Sequence, residues 1–287
     1  MRLLCEELRV TAETAARAGI SPKTVYVGGG TPTSLSAADL ETVLAALNRY
    51  FDARSTAEFT VEAGRPDTVT PEKLRVLKAA GVTRISVNPQ TFSDAVLRAV
   101  GRPHTAADTA EKFRLAREVG FDNINMDLIA GLPTDTFAGF CDSLRRTVAL
   151  APENITVHTL ALKRAAALAE EAGSVSAARE TARMVDFSGE YLRENGYVPY
   201  YMYRQSKSAG NLENVGWTRP GRACLYNVFM MEELHTVLAC GGGAVTKLIT
   251  PGYRNIARIY NFKYPYEYIG RFGEQIERKR EIEEFYR

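Results

Sequence analysis

The residues with the types and spacing for ligand chemistry lie in the first half of the chain. The stretch VYVGGGT, from Val25 to Thr31, ends a β-branched run in Gly28, Gly29 and Gly30. Without a Cβ, main-chain N–H groups come within contact distance of a bound molecule. Glu62 and Asp127 each fall near the end of another β-branched run. A carboxylate so placed accepts hydrogen bonds from ribose hydroxyls. Gln90 follows another run, the third in chain order, and Arg102 lies in the loop beyond the next short helix. Together these residues suit a small polar ligand that carries a sugar. Taken singly, each has a plainer reading. The glycines read equally as a tight strand-to-helix turn, either carboxylate as a cap or ion-pair partner, and Arg102 as a solvated arginine.

The elements that must position them recur about every thirty residues, the size of a βα unit. Strand patterns cover Lys23–Val27, Glu58–Ala63, Arg84–Asn88, Asn123–Ile129 and Asn154–Leu160. Between them the spacing predicts helices from Ser36 to about Phe51, Thr70 to Ala80, Thr105 to Val119 and Thr136 to Leu150. Consecutive βα units imply an α/β fold with a parallel sheet, open or curled as a barrel, whose ligand site lies at the C-terminal strand ends. That rule alone gathers Gly28–Thr31, Glu62, Gln90, Asp127 and Ala161 on one rim. Met1 to Ala18 reads as a helix, and the residues after Ala161 read as helical to about Asn195. A smaller tyrosine-rich lobe follows from residue 197, ending in IERKREIEEFYR, which reads as a solvated helix. The division is therefore 1–196 and 197–287.

The 287 residues are 45% hydrophobic with a net charge of +2. That balance points away from nucleic acid and membrane surfaces as partners. The N-terminus has no apolar signal core and no run is long enough to span a bilayer, so a cytoplasmic location is expected. Cys5, Cys141, Cys224 and Cys240 are scattered, as are His104, His158 and His235, and no metal site of close-spaced ligands is visible.

GGGTPTSL (Gly28–Leu35), VEAGRPDT (Val61–Thr68), RISVNPQTF (Arg84–Phe92), GRPH (Gly101–His104) and MDLIAGLP (Met126–Pro133) occur in this order. Together they resemble the oxygen-independent coproporphyrinogen III oxidase family of radical S-adenosylmethionine (radical SAM) enzymes. The tail YYMYRQSKSAGNLENVGW (Tyr200–Trp217) is most similar to its coproporphyrinogen dehydrogenase (HemZ-type) branch. The resemblance implies a partial (β/α) TIM-like barrel. It implies S-adenosylmethionine and a 4Fe-4S cluster as cofactors, coproporphyrinogen III as substrate, and an electron donor as partner. The implied reaction is radical decarboxylation of two propionates to vinyl groups, giving protoporphyrinogen IX in haem biosynthesis. By motif position, Gly29, Gly30 and Thr31 would approach the methionine moiety. Glu62 would meet the ribose or amino group, Gln90 and Arg102 the ribose and carboxylate, and Asp127 the ribose, while Ile129 and Ala161 would line the adenine.

The family holds its cluster with CxxxCxxC after the first barrel strand, and this chain has no such motif. The expectation is an N-terminally truncated chain that lacks that strand and loop, and that alone neither holds a cluster nor cleaves S-adenosylmethionine. Two alternatives are a haem-trafficking relative, with His158, His235, Cys224, Cys240 or tyrosines as ligands, and a non-catalytic fragment. For the substrate's propionates, Lys163, Arg164, Arg204, Lys207, Arg219 and Arg222 are candidate cations.

Overall fold

A computed structural model describes residues 1–161, 175–205, 211–250, 252 and 255–287. The chain opens with α1 (Arg2–Arg17) and then alternates strand and helix: β1 (Thr24–Val27), α2 (Ala37–Phe51), β2 (Glu58–Glu62), α3 (Pro71–Ala79) and β3 (Arg84–Ser86). It continues through α4 (Asp94–Ala99), α5 (Ala106–Glu118), β4 (Ile124–Ala130), α6 (Phe137–Ala149), β5 (Asn154–Thr159) and α7 (Val175–Glu194). Local chemistry sets the helix starts. The side chains of Ser36, Thr70, Thr105 and Thr136 each accept a hydrogen bond from a first-turn backbone N–H, and Thr105 with Asp108 completes a capping box.

β1 to β5 pair in parallel and in sequence order. β7 (Asn214–Thr218) then adds antiparallel to β5, and β6 (Val198–Tyr203) closes the seven-stranded order β1-β2-β3-β4-β5-β7-β6. The period-two alternation divides each strand between two faces. Phe59, Val61, Ile85, Val87, Ile124 and Met126 join one buried cluster with Leu40, Leu44, Leu74 and Phe113 of the helices. Leu128, Ala130, Ile155 and Val157 join a second with Phe140, Leu144, Met184 and Trp217. The opposite face carries Glu58, Thr60, Glu62, Arg84, Ser86, Asn125, Asp127, Thr156 and His158.

Helix α8 (Leu225–Glu232) lies over that polar face. Glu58 anchors it by accepting from the backbone N–H of Leu225 (2.8 Å) and Tyr226 (3.2 Å), as favours a carboxylate at a helix N-terminus. Tyr226 stacks on Tyr26 of β1, with ring centroids 4.1 Å apart. Asn227 donates to the Tyr200 hydroxyl of β6 at 3.0 Å. One short helix thus touches both outer strands, so the sheet curls into a half-barrel with this face concave.

A separate two-stranded sheet, β8 (Val245–Ile249) and β9 (Ile256–Tyr260), leads into α9 (Pro265–Gly270), α10 (Phe272–Lys279) and α11 (Glu281–Tyr286). The expected solvated C-terminal helix is corrected here. The segment forms two helices, and Gln275, Lys279 and Ile282 are completely buried. Lys279 is inside because it meets a buried acid, Glu7 of α1, at 2.9 Å. No helix among the described residues is long and apolar enough to cross a membrane.

Candidate functional site

The rim begins where β1 ends. Gly28, Gly29 and Gly30 are exposed. Gly29 has φ +102°, a conformation glycine adopts without strain. Its N–H donates to Glu62 Oε2 at 3.3 Å, and the Tyr26 hydroxyl donates to Glu62 Oε1 at 2.5 Å. A Cβ on Gly28 would lie 2.5 Å from the Tyr26 ring and 2.8 Å from the Glu62 carboxyl carbon. A Cβ on Gly30 would meet nothing within 4 Å among the described residues. Thr31 accepts from the Ser34 N–H at 2.8 Å, turning the chain toward α2. Tyr26 stands two residues before Gly28, hence on the same strand face, which is a sequence signal for its contact with the rim.

Gln90 is pinned by its backbone. Its N–H donates to the Asp127 carbonyl (3.0 Å) and its carbonyl accepts from the Ile129 N–H (2.9 Å). It holds φ +67°, uncommon for a residue with a side chain and of the kind that clusters at functional sites. Arg102 follows α4, with its N–H donating to the Leu97 carbonyl at 2.9 Å. Its loop is tied to the Gln90 loop by His104, whose Nε2 donates to the Pro89 carbonyl at 3.3 Å. Ile129 pairs in register with His158, and Ala161 lies just past the end of β5, where the Leu160 N–H donates to the Ala130 carbonyl. Both are half-buried.

Asp127 accepts from Asn125 Nδ2 at 2.7 Å, and His158 Nε2 lies 3.7 Å from its Oδ2. The Tyr203 hydroxyl is 3.4 Å from His158 Nδ1. Burial opposes the Asp127 charge, but His158, Asn125 and Thr156 outweigh it, and the carboxyl sits below its ordinary range. At Glu62 burial wins. It raises the carboxyl above the ordinary value against the pull of the Tyr26 hydrogen bond, and the charge of Asp127 adds to the rise. The two acids therefore feel each other across one concavity. Gly29, Glu62, Gln90 and Asp127 share that concave rim, with the Arg102 loop docked at its edge. His158 and Tyr203 were not among the rim residues reached from sequence.

The cysteines do not fit an iron–sulfur cluster, which needs converging thiolates. Cys141 is buried on α6. Cys224 donates to Glu58 at 3.2 Å and Cys240 to Thr11 at 3.4 Å. Burial pushes their thiols up to about 12 and about 11. No group of three or more His, Cys, Asp or Glu that could hold a metal ion occurs among the described residues. Of the candidate cations, Arg204 pairs with Glu213 at 2.6 Å, Arg222 lies 3.6 Å from Asp122, and Arg219 covers the Tyr197 ring. Lys163, Arg164 and Lys207 lie outside the described residues.

A family model described as the Radical SAM superfamily matches residues 2–147. The oxygen-independent coproporphyrinogen-III oxidase-like protein HemZ of Bacillus subtilis is 42% identical over 276 residues, covering 95% of this chain and 55% of the relative. The heme chaperone HemW of the same organism is 43% identical over 139 residues, 48% of this chain and 36% of that one. The chain thus spans about half the length of the first of these relatives and less of the second. Among solved structures, the radical SAM coproporphyrinogen III oxidase HemN of Escherichia coli superposes with a TM-score of 0.70 over 93% of this chain and 62% of that chain, at 23% identity. That likeness is one of fold.

Proposed function

Because this chain belongs to the radical SAM superfamily, we propose that its strand-end rim binds S-adenosylmethionine in the cytoplasm, in the service of oxygen-independent decarboxylation of coproporphyrinogen III to protoporphyrinogen IX. The observation that carries this reading is the meeting of Glu62, Gln90 and Asp127 beside the bare main chain of Gly29 and Gly30. When bound and given one electron by a reduced donor, S-adenosylmethionine would supply the radical chemistry of the superfamily. The residues of this chain bind and orient it. Gly29, Gly30 and Thr31 offer main-chain groups to its methionine end. Glu62 accepts from its amino group or ribose, and Asp127 from ribose. Gln90 donates to ribose, Arg102 holds the carboxylate with parallel hydrogen bonds, and Ile129 and Ala161 flank the adenine. Residues 1–196 carry this rim and residues 197–287 complete its enclosure. The cysteines offer no cluster site, so no step of the reaction is assigned to them.

Isothermal titration of the chain with S-adenosylmethionine tests the rim. Glu62→Gln and Asp127→Asn are each expected to weaken binding about tenfold or more, the scale of one hydrogen bond to a charged group. Wild-type affinity in both variants would reject the rim. The pH dependence follows from the raised Glu62 carboxyl. Affinity should fall as pH drops through that raised value while Asp127, lowered, stays ionised. Glu62→Gln should flatten the profile. The sign on stability is opposite. A raised carboxyl stabilises the fold below its unfolded-state pKa, and that contribution is lost as pH rises through the folded value.

Haem binding is the second reading, favoured by the similarity to a protein named heme chaperone. His158 stands between Asp127 and Tyr203, whereas His235 packs against Phe229 with centroids 4.1 Å apart. A haem titration whose axial-ligand spectrum vanishes in His235→Ala would favour this reading.

A further inference from the structure

The concave face has a feature that the cofactor rim does not use. Side chains along a regular strand alternate between faces, so of two successive residues only one points inward. In β6 the register shifts between Pro199 and Tyr201. Irregularities of this kind re-aim side chains beside active sites. Tyr200 reaches inward to Asn227 of α8, and Tyr201 reaches inward to Thr156 of β5, at 3.3 Å. Met202 turns out to solvent, 59% exposed, and Tyr203 points in again to His158. Opposite them stands Gly216 of β7, its register partner being Tyr201. A Cβ there would fall 1.8 Å from the Tyr201 ring, so the ring lies in space that only glycine leaves open.

The outcome is a pair of parallel aromatic rings on the concave face. The Tyr201 and Tyr203 rings are within 5° of parallel, with centroids 6.3 Å apart. His158 meets the Tyr203 ring edge-on. All three are half-buried rather than sealed in the core. Burial raises both phenols above their ordinary value, so they stay protonated and neutral at physiological pH. Their contacts to Thr156 and His158, 3.3 and 3.4 Å, are long for hydroxyl hydrogen bonds, and each proton is available to a better acceptor. The surface abuts Asp127 through His158, so a molecule lying on it is next to whatever the rim holds.

We propose that Tyr201 and Tyr203, flanked by His158, form the wall that receives the pyrrole rings of the tetrapyrrole, with the two phenols donating to a propionate. The inference rests on the tetrapyrrole reading above and adds residues to it. Aromatic faces suit pyrrole rings, and neutral phenols suit a carboxylate in a concavity already carrying two acids. Placing the macrocycle here brings a propionate side chain beside the adenosyl rim, where proximity serves the reaction.

Coproporphyrin III, the stable oxidised macrocycle, is the probe. Its fluorescence is titrated with the full chain, and S-adenosylhomocysteine binding is measured in parallel by calorimetry. Wild type should bind coproporphyrin III saturably. Tyr201→Leu and Tyr203→Leu should each weaken that binding about tenfold or more, with S-adenosylhomocysteine affinity and the circular dichroism spectrum unchanged. Tyr203→Ser, near the end of the strand, supplies the comparison if leucine at 201 unfolds the protein. Binding of coproporphyrin III that ignores every folded substitution overturns the wall and leaves the proposed function standing. A wild-type chain that binds S-adenosylhomocysteine but no coproporphyrin III overturns the wall together with the tetrapyrrole substrate.

Discussion

Lys279→Met is expected to destabilise the protein by about 3–5 kcal/mol, the scale for removing one partner of a buried ion pair. Lys279 and Glu7 have no exposed side-chain surface and meet at 2.9 Å. Lys279 Nζ also donates to the Ala239 carbonyl at 2.7 Å and to Asn261 Oδ1 at 3.2 Å. Glu7 accepts from Asn261 Nδ2 (2.7 Å), the Gly241 N–H (2.9 Å) and the Tyr268 hydroxyl (2.6 Å). Without the ammonium, a carboxylate remains in the interior with neutral donors only. Glu7→Gln should cost a similar amount by leaving the ammonium uncompensated. The double variant should lose less than the sum, because it buries neither orphan charge. Urea denaturation monitored by circular dichroism measures all three. Single variants within about 1 kcal/mol of wild type would mean that water or rearrangement reaches the pair. The pair also binds α1, which leads into β1, to the Gly241 loop and α10, so its loss should loosen the entry to the rim.

Local chemistry was legible in the sequence. Ser36, Thr70, Thr105 and Thr136 cap the helices that the pattern puts there, and the βα recurrence marks the parallel strands. The rule that ligands bind at C-terminal strand ends brings Glu62 and Asp127 to one rim, because in-register neighbours in a parallel sheet end on the same side. What escaped was set by partners far along the chain. Lys279 stands in a run of charges and looks solvated, since nothing near it in sequence announces Glu7. His158 acquires its place only when β5 lies beside β4. The inward turn of Tyr201 depends on an irregular pairing with Gly216, and Pro199 is the single local hint, since proline does not sit easily in a regular ladder. Long-range pairing, not propensity, decided each of these.

Gly28→Ala should weaken S-adenosylmethionine binding about ten- to a hundredfold while leaving the chain folded. The added methyl would stand 2.5 Å from Tyr26 Cε1, 2.8 Å from Glu62 Cδ and 2.9 Å from Oε1, so something must move. Tyr26 has little room, since its ring lies within 16° of parallel to Tyr226 at 4.1 Å. The Glu62 carboxylate ends a flexible side chain, and it is the group that yields. It then leaves the Tyr26 hydroxyl and the Gly29 N–H and is no longer aimed at the ligand. Hydrogen bonds to a charged group contribute about 1.5–3 kcal/mol, which at about 1.4 kcal/mol per decade gives the stated range. Gly30→Ala is the companion measurement. Its Cβ meets nothing within 4 Å among the described residues, so stability should hold. Any loss of affinity there must come from contact with the ligand itself. If both alanines bind S-adenosylmethionine as wild type does, the glycine run is a turn and the ligand lies elsewhere.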